Sequence, residues 1–241
     1  MDTRFWGPDG WKLLHSIVEG YPSKPTKKDK TNYRIFFNSL IYVLPCIYCR
    51  NSFKEYLDNL PIDNFLSSKN KLSYWLYLIH NMVNEKLRKQ KLHNQRDPSF
   101  QEIKTRYKQY VKDINQSKCV NMPGWDFIYT IVFNFPLKGN TLEKIRLKNY
   151  ILFFKYLDKV LPFKQIKTTY SKIIKNTNMN EVFLGRTILK KWFFNTEKKI
   201  KKTINCNCIK YRERCLMIEK YRAGCNGKND KKPTCRKLRK I

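Results

Sequence analysis

Asn32-Tyr33-Arg34-Ile35-Phe36-Phe37-Asn38-Ser39-Leu40-Ile41-Tyr42-Val43-Leu44-Pro45-Cys46-Ile47-Tyr48-Cys49 places Tyr33, Phe36, Phe37, Leu40, Ile41 and Leu44 at the three- and four-residue steps of an amphipathic helix. The spacing predicts a helix from Lys30 to Val43 that meets Pro45. Proline cannot donate the N–H that an interior helical position uses, so the chain should bend there and restart with Cys46-Ile47-Tyr48-Cys49 opening the next helix. Phe53, Tyr56 and Leu57 continue that helix.

Working outward, Trp11, Leu14, Ile17 and Val18 predict a helix from Pro8 to Tyr21, with Asp9 as its N-cap and a turn at Ser23-Lys24-Pro25-Thr26. After Pro61, Trp75, Leu78, Ile79, Met82, Val83 and Leu87 form the apolar face of a helix from Leu72 to Lys89. Asp97-Pro98 breaks the chain before a short helix from Ser99 to Ile114. Trp125 to Phe135, Thr141 to Leu161, Ile166 to Ile174 and Asn180 to Ile200 again have helical period. The expected fold is all-α: a four-helix bundle with a short fifth helix, followed by a second helical domain. The expected divisions are 1–118, 119–200 and a basic, Cys-rich tail over 201–241.

The second half resembles the first at core positions. Gly10-Trp11, Ile17-Val18 and Pro22 correspond to Gly124-Trp125, Ile131-Val132 and Pro136 at identical separations. Asn32-Tyr33, Phe36-Phe37, Leu40 and Val43-Leu44-Pro45 correspond to Asn149-Tyr150, Phe153-Phe154, Leu157 and Val160-Leu161-Pro162. Tyr129 then stands where His15 does, and Phe163 and Ile166 where Cys46 and Cys49 do. The expectation is a degenerate copy that keeps the helices and has lost the chemistry.

The chain has 241 residues, enough for two bundles. No uncharged run is long enough to span a bilayer, and the first residues lack the pattern of a signal peptide, so the chain reads as soluble, without a membrane span and not secreted by the usual route. Lys and Arg number 50 against 19 Asp and Glu, a net charge of +31. That charge raises nucleic acid as a partner, but Lys, Asn, Ile, Tyr and Phe are abundant while Ala occurs only at Ala223, which is also the imprint of an AT-rich genome. No helix-turn-helix or paired zinc-finger ligand set can be placed, so charge alone would give non-specific, salt-sensitive binding. A basic nucleic-acid-binding protein with an incidental CxxC is the competing function, and a disulfide-braced helical scaffold is a third.

A CxxC at a helix N-terminus suits redox work, because the macrodipole and free N–H groups favour thiolate. Zinc would need four ligands, and residues 1–118 hold no second CxxC or ligand-spaced His pair, so no metal site is expected there. Thioredoxin-like chemistry would need a βαβ context. Trp11 and His15 share one helix face, and His80, Asn81 and Asn84 set polar groups on an otherwise apolar helix. Buried polar groups need partners, which a bound ligand would supply.

Three segments together, Trp11-Lys12-Leu13-Leu14-His15, Pro45-Cys46-Ile47-Tyr48-Cys49 and His80-Asn81-Met82-Val83-Asn84, resemble the Erv/ALR family of FAD-linked sulfhydryl oxidases over about residues 5–100. Trp6-Gly7-Pro8 and Leu44-Pro45-Cys46 are especially similar to members encoded by large DNA viruses. The resemblance implies FAD within the bundle, contacted by Gly7, Trp11, His15, His80, Asn81, Val83, Asn84, Leu87 and Lys89, with Phe100 replacing a family Trp near the adenine. It implies that Cys49 lies next to the flavin and that Cys46 is attacked by a protein dithiol, with O2 as final acceptor and H2O2 as product. Implied substrates are viral thioredoxin-like or virion proteins, in the host cytoplasm at viral factories or in the virion. Family domains form homodimers, and an internal copy could instead make a pseudo-dimer within one chain.

Two features depart from the family: Pro8 stands where many members have Arg, and the disulfide that often follows the His-Asn segment has no counterpart. Of the eight cysteines, Cys206-Asn207-Cys208 resembles the mobile shuttle pair of the family. Structural disulfides, or a metal site using Cys206, Cys208, Cys215 and one of Cys225 or Cys235, are the other readings of the tail, and Cys119 could pair with one of them.

Overall fold

The structure, a computed structural model, describes residues 3–117 and 122–222. All regular elements among the described residues are helical. They are α1 (Thr3–Glu19), α2 (Lys27–Val43), α3 (Ile47–Asn59), α4 (Lys69–Lys89), α5 (Phe100–Gln116), α6 (Trp125–Asn134), α7 (Lys144–Val160), α8 (Lys164–Lys175), the single turn α9 (Met179–Val182), α10 (Arg186–Thr203) and α11 (Tyr211–Arg222), with 3-10 turns at Ile62–Phe65 and Gly139–Thr141. None of these helices is long and apolar enough to cross a membrane.

The apolar periods bury as expected: Leu13, Ile17, Phe36, Phe37, Leu72, Trp75, Leu76 and Ile79 of the first half are all without solvent contact. Capping fixes several starts. Thr26 and Asp29 form a capping box on α2, Ser99 and Glu102 form one on α5, and Ser68 caps α4. Each such cap is worth about 1 kcal/mol. These caps lie just outside the apolar runs, so α2 and α4 each begin three residues earlier than the periodicity alone suggests.

Three expectations shift. First, α1 starts at Thr3 and contains Pro8, which removes a single ladder N–H. Asp9 is therefore not its N-cap; the Asp9 Oδ2 instead accepts the backbone N–H groups of Asp126 at 3.0 Å and Phe127 at 3.4 Å, capping α6 from another helix. Second, Asn180 to Ile200 is not one helix. It breaks at Gly185, where a Cβ would meet the Leu137 carbonyl oxygen at 2.4 Å, and α10 follows. Third, the stretch from 201 is not simply a tail: α10 runs to Thr203, and α11 packs on α6 with Ile218 and Arg214 buried.

The broadest packing joins α2 to α7, followed by α1 to α6, so both halves share one hydrophobic core. Phe36 and Phe153 stack across it with centroids 5.4 Å apart.

Candidate active site

Pro45 ends α2, and Cys46 becomes the N-cap of α3 in extended conformation, placing Cys49 in the first helical turn. Both cysteines are half-buried. The restart expected at Pro45 thus puts both sulfurs at a helix N-terminus, where N–H groups and the helix dipole favour thiolate. A further cation stands beside them. Arg50 is half-buried and donates from Nη1 to the Leu44 carbonyl at 2.7 Å, bracing the Leu44-Pro45 bend. Burial and then Arg146 push the guanidinium below its ordinary value, while Cys46 and Cys49 act in the opposite direction, which places its charge in the field of both sulfurs. Sequence reading passed over Arg50, although its position directly after Cys49 was the available signal.

The turn after Cys49 docks on α4. Lys86 Nζ donates to Ser52 Oγ at 2.5 Å, and Tyr56 OH donates to the Met82 carbonyl at 3.4 Å. These contacts align the Cys-bearing end of α3 with the stretch of α4 that carries Val83, Asn84 and Leu87. That stretch differs from the start of α4: Leu72, Trp75, Leu76 and Ile79 are buried, whereas His80, Asn81, Met82, Val83, Asn84 and Leu87 are only half-buried.

Where α4 faces α1, Trp11, His15 and His80 come together as the sequence predicted. The Trp11 and His80 rings stack at 3.8 Å, and His15 Nε2 lies 3.0 Å from His80 Nδ1. One of those nitrogens must carry the shared proton. Burial foremost, then the charges of His80 and Arg106, lower the His15 pKa to about 3. Burial also lowers His80 to about 4, against a smaller opposing pull from Asp97. Both imidazoles are therefore neutral at physiological pH. Tyr107 of α5 stacks on His15 at 4.7 Å, and burial raises its phenol to about 12. It carries no motif signal, because only the packing of α5 on α1 brings it in.

Asn84 Nδ2 donates to Asp97 Oδ1 at 2.8 Å, and Arg88 pairs with Asp97 Oδ2 at 2.8 Å. The bond to Arg88 holds the Asp97 carboxyl below its usual range, assisted by Asn84 and opposed by burial. Asp97, read from sequence only as a chain breaker, is thus a polar organiser beside the α4 terminus. Lys89 pairs with Glu85 on the exposed face, Phe100 packs on Tyr74 and Tyr77, and a Cβ at Gly7 would meet nothing within 4 Å.

These residues fit a flavin nucleotide. Gln90 Oε1 and His93 Nε2, just past α4, are buried without a hydrogen-bond partner, and the half-buried apolar and amide groups of α4 lead from them to the aromatic pair His80 and Trp11. A ligand with a flat ring at one end and polar groups at the other would satisfy both.

In the second half, Cys206 is disulfide-bonded while Cys208 and Cys215 are thiols, so the structure does not join Cys206 to Cys208. Burial and then Glu197 push the Cys208 thiol up, which makes it a slower attacking group. Cys119, Cys225 and Cys235 lie outside the described residues.

Comparison with known proteins matches residues 8–108 to the model of the Erv1 / Alr family. A probable FAD-linked sulfhydryl oxidase of Acanthamoeba polyphaga mimivirus is 45% identical over 85 residues, covering 35% of this chain and 59% of that protein. The mitochondrial FAD-linked sulfhydryl oxidase of Saccharomyces cerevisiae is 36% identical over 91 residues, 37% of this chain and 47% of the relative. An FAD-linked sulfhydryl oxidase of African swine fever virus is 30% identical over 121 residues, half of this chain and 95% of the viral protein. The chain thus spans about half to three fifths of the mimivirus and yeast relatives and nearly all of the swine fever one. The family match over residues 8–108 and a relative 30% identical over 95% of its length establish that the chain belongs to the Erv1 / Alr family.

Proposed function

We propose that this chain is an FAD-dependent thiol oxidase that forms disulfides in protein substrates. The observation that carries the reading is the Cys46–Cys49 helix end docked, through Ser52–Lys86 and Tyr56–Met82, on the half-covered face of α4 that continues into His80. A substrate thiolate attacks Cys46, which lies at the extended N-cap position, and forms a mixed disulfide with it while Cys49 leaves as thiolate. The second substrate thiolate then attacks the substrate sulfur, releasing Cys46 and leaving both cysteines reduced. The α3 N-terminus and Arg50 stabilise the sulfur anions at each stage. Ile47, 51% exposed between the cysteines, offers an apolar contact to an incoming protein chain.

FAD, when bound, supplies a two-electron acceptor that re-oxidises the dithiol and delivers the electrons to O2 as H2O2. Gly7, Trp11, His15, His80, Asn81, Val83, Asn84, Leu87, Lys89 and Phe100 would hold it, and Tyr107 against His15 and the unpartnered buried atoms of Gln90 and His93 would join them. The neutral His15–His80 pair keeps one proton between Nε2 and Nδ1 and brings no positive charge into the site. Substrates are protein dithiols. The viral relatives support a place in the host cytoplasm, at viral factories, or in the virion. Cys206 remains a candidate for relaying electrons from substrate, through the disulfide it forms and not through Cys208. The positive charge supports salt-sensitive contact with nucleic acid as a secondary property.

Cys49→Ser is expected to lower thiol-dependent O2 consumption by more than about a thousandfold while the purified protein keeps its yellow flavin absorption. Wild-type turnover in that variant, or a colourless wild-type protein that cannot be loaded with FAD, would overturn the proposal.

A further inference from the structure

We infer that residues 122–222 are a second copy of the bundle, fused in cis as the partner for the α1–α2 face and closed to cofactor by a buried ion cluster. The claim that the other site is loadable rests on the function proposed above, whereas the pairing of the halves does not.

The contacts between the halves are reciprocal. The Cβ position of Gly10 faces the Phe127 ring at 3.2 Å, and that of Gly124 faces the Leu13 side chain at 2.5 Å. By the sequence repeat, Gly10 corresponds to Gly124 and Leu13 to Phe127, so each half presents the same position to the same position of the other. This is the pattern of an isologous two-fold interface, where residue i meets j and j meets i. On such an axis a residue meets its own counterpart, as Phe36 does Phe153. At the helix scale, α1 meets α6 and α2 meets α7. Charges follow the rule too: Asp29 lies in the field of Lys167, and Arg50 in that of Arg146, each pair occupying the positions of the other.

The repeat also extends to α4 and α10. Leu72, Trp75 and His80 correspond to Leu189, Trp192 and Glu197 at identical separations, and Asn84 to Lys201. His15 meets His80 in one half, and Tyr129 donates to Glu197 at 2.5 Å in the other. Tyr107 stacks on His15, while the Arg214 guanidinium of α11 lies 4.7 Å from the Tyr129 ring centroid. The composition of the position has changed. Glu197 has no solvent exposure, and it also receives Arg214 Nη2 at 2.6 Å and Lys201 Nζ at 3.0 Å. Entry of a ligand would strip these charges of their partners, which is severely unfavourable in a dry interior. The redox position is closed as well. Phe163 and Ile166 are buried, and Asn115 of α5 occupies the start of α8 by accepting the Lys164 N–H at 2.9 Å and donating to the Pro162 carbonyl at 3.2 Å.

The test is flavin content and particle mass of the full chain saturated with FAD, by visible absorbance, amino-acid analysis and light scattering. One flavin per chain and the mass of a single chain are expected. His80→Ala should reduce the flavin ratio at least tenfold, and Glu197→Gln should leave it at one. Should Glu197→Gln fail to fold, the triple variant Glu197→Gln, Lys201→Met, Arg214→Met, which removes the whole charge set, takes its place. Two flavins per chain, or flavin lost with the Glu197 change and kept with the His80 change, would overturn the sealed site. A two-chain particle would overturn the pairing in cis. A flavin-free protein of single-chain mass would sink the proposed function while supporting the pairing.

Discussion

At the residue scale, the site depends on two imidazoles kept neutral by burial. A histidine whose folded-state pKa lies below its ordinary 6.5 binds its proton first in the unfolded chain. The stability it contributes is complete above about pH 6.5 and is lost as pH falls toward the folded values near 4 for His80 and 3 for His15. Denaturant unfolding of the flavin-free protein should therefore weaken by about 1.4 kcal/mol per pH unit for each histidine between pH 6 and pH 4.5. The double variant His15→Gln, His80→Gln should show a shallower slope, and equal slopes would refute the neutral pair. The polar spacing on α1 and α4 made His15 and His80 legible in the sequence. Tyr107 and Asp97 were not, because a lone Tyr or Asp gains meaning only from what packs against it.

At the scale of the element, helix ends decide where the chemistry sits. Pro45 stops α2 and gives Cys46 the N-cap of α3, a local effect of one missing N–H that the sequence displays directly. The start of α6 is decided elsewhere. Its N-cap Gly124 has φ of 96° and no side chain to cap with, and the carboxylate of Asp9 supplies the cap from α1. Gly124→Ala combines a left-handed backbone with a Cβ pressed on Leu13, and should cost about 2–4 kcal/mol. Differential scanning calorimetry would register this as a lower Tm; an unchanged Tm would mean that α1 and α6 do not pack as described. Asp9 shows why boundaries are hard to read: its type announces a cap, but not whose.

At the scale of the whole molecule, the Phe36–Phe153 stack makes the catalytic half depend on the other half. Phe153→Ala removes a fully buried ring at the α2–α7 contact and should cost about 3–5 kcal/mol. Because both halves share that core, flavin release and loss of helix circular dichroism should shift together in one transition. Release at the wild-type temperature, with only part of the helix signal lost earlier, would show that the halves are independent. The sequence by itself determined the all-α class, the order of the helices, the CxxC at a helix start and the polar face of α4, since apolar period, proline and capping residues act over a few neighbouring positions. Tertiary structure alone decided that Asp9 caps α6, that Tyr107 covers His15, that α11 joins the fold within what reads as a basic tail, and that Cys206 and Cys208 are not joined. Each of these is a contact between positions far apart in the chain, and its energy depends on which surfaces the packed helices bring within a few ångströms, a quantity that no local pattern carries.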